Sequence, residues 1–141
     1  MMAIRPRRRR AFEQTENVRK QYHFWPGDEG LDAWDVDRLI TLSRDLHPEE
    51  VAVDEIDEVD SVYWFDEVNA PTVRAVVGHV KLINEVDPAH PIILSAEGRV
   101  MDGMHRIARA LLEGRETVVA VRFAQPIPPD YRNVRPADLP Y

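Results

Sequence analysis

The sequence predicts a small α+β (or α/β) domain in which a mixed sheet is flanked by helices, and three observations predict it. Residues 71–86 and 104–112 carry apolar side chains at helical spacing. Short apolar runs at 51–56, 92–94 and 117–123 have the length of strands. Strand-like and helix-like segments follow one another along a chain of 141 residues, which is enough for one core with tails, burying roughly 65–70% of the unfolded surface.

Taken in order, residues 1–20 are polar and charged and read as a flexible basic arm. Residues 21–48 form an extension with one helix. Its opening stretch, QYHFWPGDEG, sets aromatic residues before a Pro-Gly turn and is expected to pack onto the domain. A helix is expected from Asp32 or Ala33 to Leu46, with Asp32 as cap and Val36, Leu39, Ile40 and Ser43 along one side. The main domain covers 49–124. Val51, Ala52, Val53 and Ile56 suggest a strand, and Tyr63, Trp64 and Phe65 an apolar contact in a loop. Residues 71–86 form a helix whose core face is Val73, Val76, Val77, Val80 and Ile83.

Ile92, Ile93 and Leu94 form the next strand, and Arg99, Val100 and Met101 continue extended after the Glu97-Gly98 turn. Met104, Ile107, Ala108, Leu111 and Leu112 then mark one face of a second helix, with Gly114 at its C-cap. Residues 117–123 are a strand with Val119, Val121 and Phe123 on one face. The tail, 125–141, holds five prolines and reads as extended chain lying over the surface, anchored by Tyr131 and Tyr141.

The formal charge of −7 is unevenly spread. Residues 5–10 contain five arginines, and removing their charge leaves the rest of the chain at −12. No Lys or Arg occurs between Arg44 and Arg74, where carboxylates abound. Such a body repels a nucleic-acid backbone, so any DNA contact falls to the arm at Arg7, Arg8, Arg9 and Arg10. A like-charge block of this kind reads first as a disordered arm without that role, and DNA contact is the alternative. The lack of cysteine fits a cytoplasmic, reducing location. No run approaches the ~20 apolar residues of a membrane span, so no membrane partner is expected. His23, His47, His79, His90 and His105 lack metal-site spacing, and neither a P-loop nor a G-x-S-x-G elbow is present.

The chemistry concentrates at Asp102-Gly103-Met104-His105-Arg106, where a strand ends, a glycine turns the chain and a helix opens. Free backbone N–H groups and the positive end of the helix dipole favour an anion there, and Arg106 adds a forked charged grip. The competing reading makes Asp102 an N-cap and Arg106 a solvated surface charge.

The stretch PIILSAEGRVMDGMHRIARALLEGRETVVAVRF, residues 91–123, resembles the ParB/sulfiredoxin-like superfamily, whose members share a strand, a turn, a short strand, a G-x-H-R or G-x-R-R helix start and a closing strand. Sulfiredoxins carry a catalytic cysteine where this chain has Met104, and a thioether cannot replace a thiolate nucleophile. The local motif is closest to the D-G-H-H-R of free-serine kinases, four of whose five positions recur here. Those kinases use a glutamate from a His-Glu pair; the corresponding residues here are Asp57 and Glu58.

The resemblance implies a stand-alone domain that binds a nucleotide phosphate, ATP or another, through Gly103, Met104, His105 and Arg106. It also implies Mg²⁺-dependent phosphoryl transfer to a small hydroxyl substrate, with Asp102 on metal or hydroxyl, His105 on the phosphate and Glu58 as base. A nucleotide-responsive partition, DNA-associated or nuclease-like module and a non-enzymatic interaction domain are the alternatives, and a homo-oligomer is compatible with each.

Deleting residues 1–10 should leave folding intact and lower any affinity for DNA. Anisotropy titrations over a salt series would check this, and undiminished binding after deletion would refute the acidic-body argument.

Overall fold

The computed structural model describes residues 20–141. The basic arm, with Arg7, Arg8, Arg9 and Arg10, lies outside the described residues. Among the described residues, three α-helices and two sheets, of three and four strands, give the α+β content expected. No helix among the described residues is long and apolar enough to cross a membrane. The described residues form two compact units, 20–38 with 129–141, and 39–128.

The first unit is built on β1 (Tyr22–Pro26), β2 (Leu31–Asp35) and β7 (Tyr131–Val134), all antiparallel in the order β1-β2-β7. The Pro26-Gly27 turn thus joins two strands, and the hairpin closes where the Gly27 N–H donates to the Gly30 carbonyl at 2.7 Å. A Cβ on Gly30 would lie 2.9 Å from the backbone of Asn133, so glycine is what lets the third strand approach. This corrects the sequence reading at Asp32, which caps no helix. It belongs to β2, and its Oδ1 accepts from the Asn133 N–H. The tail is not merely laid on a surface either, since it supplies β7. Tyr131 and Tyr141 do anchor it, their rings meeting Tyr22 edge-on at 6.0 and 5.3 Å.

Helix α1 (Val36–Ser43) is shorter than expected and begins after β2, with Val36, Leu39 and Ser43 buried. In the second unit, β3 (Glu49–Ala52) gives way to two 3₁₀ turns (Val53–Glu55 and Asp57–Asp60) and a loop, so the strand expected over Val51, Ala52, Val53 and Ile56 holds only as far as Ala52, and Val53 and Ile56 enter the core from the turns instead. Then come α2 (Val73–Glu85), β4 (Ile92–Leu94), β5 (Val100–Asp102), α3 (Met104–Leu112) and β6 (Thr117–Arg122). The sheet order is β3-β6-β4-β5; β4 and β6 run parallel and the other pairs antiparallel, so the sheet is mixed as expected.

The core lies between this sheet and α3. Val53, Ile56, Ile92, Leu94 and Val100 meet Met104, Ile107 and Ala110 there. Gly114, at φ +71°, ends α3 in a Schellman motif: the Arg115 N–H donates to the Ala110 carbonyl and the Gly114 N–H to that of Leu111.

Helix α2 forms where its spacing predicts, capped by the Thr72 hydroxyl, which accepts from the Ala75 N–H. Its orientation is the larger correction. Val73, Val76, Val77 and Val80 point to solvent, Val73 82% and Val77 59% exposed. The half-buried line is Ala75, His79 and Ile83, and the Arg109 guanidinium of α3 donates to the Asn84 and Val86 carbonyls at the end of the helix. A helix held along so narrow a line leaves its valines uncovered.

Ile107→Ala should therefore cost about 2–5 kcal/mol of unfolding free energy, the usual result for emptying a core site. Val73→Ala should change it by less than ~0.5 kcal/mol. Urea denaturation of the two variants checks the orientation of α2, because a core-facing Val73 would reverse the second expectation.

Candidate functional site

The β5–α3 junction turns on Gly103, whose φ of +110° is left-handed. It takes the N-cap position, and its carbonyl accepts from the N–H groups of Arg106 and Ile107. Asp102 is accordingly the last residue of β5 and not a capping side chain. A Cβ on Gly103 would lie 2.7 Å from Ile92 Cγ2 and 2.9 Å from Arg106 Nη2. The absence of that atom lets Arg106 fold back over the strand end.

Arg106 is not the solvated charge of the simpler sequence reading; its side chain is 18% exposed. Nη2 donates to Asp102 Oδ2 at 3.1 Å and to the Pro91 carbonyl at 3.3 Å. Nε is buried with no partner. The next side chains around the helix go elsewhere, as a 100° step per residue requires. Met104 enters the core. His105 stacks on Trp64, centroids 4.7 Å apart, and its Nε2 lies 2.8 Å from Nδ1 of His79. Trp64 also stacks on His79 at 4.3 Å. Burial, then the neighbouring His79 and Arg106, pushes the His105 imidazole down to about 4. Burial lowers His79 as well.

Glu58 reaches the other side of the same strand. Its Oε2 accepts from the Val100 N–H at 2.8 Å, satisfying a donor on β5, the edge strand. Tyr63 sits in the field of both carboxylates: burial first, then Glu58 and Asp102, pushes its hydroxyl up to about 12.

The sequence-predicted residues divide between two cavities. One, of about 400 Å³, has Asp102 and Arg106 in its wall together with Arg44, His90 and an apolar lining that includes Ile93 and Val121. The other, of about 290 Å³, has Glu58 and Met104 in its wall with Tyr63, Trp64 and Phe65. Arg44, His90, Tyr63, Trp64 and His79 are participants the sequence reading did not single out for the site. Arg44, the last cation before the basic-free stretch, offered a signal; the rest come from distant segments and offered none. Among the described residues no group of three His, Cys, Asp or Glu is placed to hold a metal ion. Comparison with family models, curated proteins and solved structures returned no match.

The depressed His105 pKa has a definite sign. The folded state keeps this imidazole neutral while the unfolded chain takes up a proton below its ordinary pKa of 6.5. The associated stability is complete above pH 6.5 and is lost as the pH falls towards about 4. His105→Gln should flatten the stability-against-pH curve in that window relative to wild type, as read by chemical denaturation at a series of pH values; an unchanged slope would contradict the burial argument.

Proposed function

We propose that this domain binds a phosphate-bearing small molecule, a nucleotide in the first instance, in the cavity walled by Arg106 and Arg44. One observation carries the reading: in a chain whose body is strongly acidic, this cavity gathers two arginines and a histidine against the single carboxylate of Asp102. Asp102 balances Arg106, so Arg44 supplies the net charge. The size lies within the range of small-ligand sites, and the apolar lining suits a sugar or base edge better than bulk water. The resemblance of 91–123 to the ParB/sulfiredoxin-like superfamily supports the same assignment.

Phosphoryl transfer to a small hydroxyl substrate is the enzymatic form of this proposal. Mg²⁺ is commonly held by one or two carboxylates together with phosphate oxygens, and Asp102 is the residue to provide one. When bound, the nucleotide would supply the transferable phosphoryl group. Arg106 and Arg44 would hold and neutralise it, His105 fixing the helix start from which Arg106 extends. Glu58 lines the second cavity, with its Oε2 engaged by the Val100 N–H, and so is not the base for a phosphoryl group held in the first.

Arg44→Ala should weaken nucleotide binding by about 1.5–3 kcal/mol, the range for hydrogen bonds to charged groups, with little effect on melting. Arg106→Ala should lose binding and also stability, since it strands Asp102. Calorimetric titration with ATP, ADP and inorganic phosphate checks both. Binding to wild type that Arg44→Ala leaves intact would remove this cavity from consideration.

A further inference from the structure

The second cavity has the opposite character to the first. Its floor is apolar, made by Val59 and Phe65 with Met104, Ile107 and Ala108 of α3. At its mouth Val62 is 80% exposed and Leu111 47% exposed. Its only charged lining residue is Glu58, one of whose oxygens, Oε2, is engaged with Val100. The segments that form it bear exposed carboxylates: Asp57 and Asp60 on the 3₁₀ turn with Glu58 and Val59, then Asp66 and Glu67 directly after Phe65. Not one of these carboxylates forms an ion pair with a described residue, and the chain offers no Lys or Arg from 45 to 73 to neutralise them. Apolar side chains left in water beside unneutralised like charges are unfavourable on both counts in the free protein. Both would be relieved by the same occupant.

We infer that this groove docks a short basic peptide segment of another protein, with an apolar side chain between Val62 and Leu111 and flanking Arg or Lys residues against the acidic rim. Charge complementarity selects the occupant. A second copy of this acidic body would bring carboxylates to carboxylates, and an anionic ligand would be repelled. A short segment also suits the dimensions, for the cavity of about 290 Å³ admits individual side chains and not a folded surface. The docking surface is separate from the arginine-walled cavity and does not depend on what that cavity binds.

The test is fluorescence anisotropy on the full chain with a labelled hexapeptide holding Phe-Leu between two pairs of arginines. Binding should weaken about tenfold or more in Leu111→Glu and likewise in the double variant Asp60→Lys, Glu67→Lys. It should also weaken about tenfold when the Phe-Leu pair of the peptide is replaced by Ser-Ser, and vanish when its arginines are replaced by glutamates. Failure to bind the first peptide, or equal binding of the Ser-Ser peptide, would overturn the proposal, the latter by reducing it to bulk electrostatics. Binding seen only in a full-length variant with Arg7, Arg8, Arg9 and Arg10 changed to Ser would make the chain's own basic segment the occupant and overturn it too. So would a dimer in sedimentation that Leu111→Glu dissociates. Unfolding is excluded as an explanation if the variants keep the wild-type denaturation midpoint, as substitutions at exposed positions should.

Discussion

The fold-back of Arg106 over Gly103 is the contact on which the second unit depends most. One guanidinium ties the end of β5 through Asp102, the residue before β4 through Pro91, and the start of α3, from which it springs. The pair is largely withdrawn from water, where removing either partner leaves an uncompensated charge, at a cost far above that of an exposed ion pair. It is possible only because residue 103 has no Cβ: the space a methyl group would take belongs to Ile92 and to Arg106 itself. Glycine here serves conformation and packing together.

From that fixed start the α3 side chains fall into three different surroundings. Met104 completes the core, His105 joins the stack with Trp64 and His79, and Arg106 faces the cavity that also holds Arg44. The aromatic-imidazole stack unites α2, α3 and the loop before α2. A neutral imidazole pair can share a hydrogen bond, one ring donating and the other accepting, which two imidazolium rings cannot do. The result is a helix start with a cationic cavity on one side and an apolar, acid-rimmed groove on the other. Such separation of charge within one small unit keeps two chemically unlike surfaces apart.

In the sheet of the second unit β4 and β6 were legible as short apolar runs and α3 by its single apolar face; β3 was only half legible, because it starts at Glu49 and ends at Ala52, where Val53 begins a 3₁₀ turn. The orientation of α2 was not legible. Periodicity reports that a stripe exists, but α2 has apolar residues on two faces, and only the packing against α3 decides that Ala75 and Ile83 go inward. The segment Leu31–Asp35 was misread for a related reason: its neighbours carry helical spacing, whereas its strand partner Tyr131–Val134 lies far along the chain, beyond any local pattern. At the site, Asp102 and Arg106 stand four residues apart in sequence, but Asp102 ends β5, and their pairing follows from the left-handed turn at Gly103 that folds Arg106 back over the strand end. Trp64 and His79 reach His105, and Tyr63 the second cavity, through tertiary structure alone.

The antiparallel sheet of the first unit has a consequence for biosynthesis. Its β1 and β2 are translated first, but β7, which pairs with β2, follows only after the whole of the second unit has been made. During elongation the outer edge of β2 therefore waits with its hydrogen-bonding groups open, while residues 39–128 can already collapse around their own core. Vectorial synthesis thus imposes an order in which the unit begun first is completed last, and the nascent hairpin is the part of the chain with the longest need of protection from wrong strand partners.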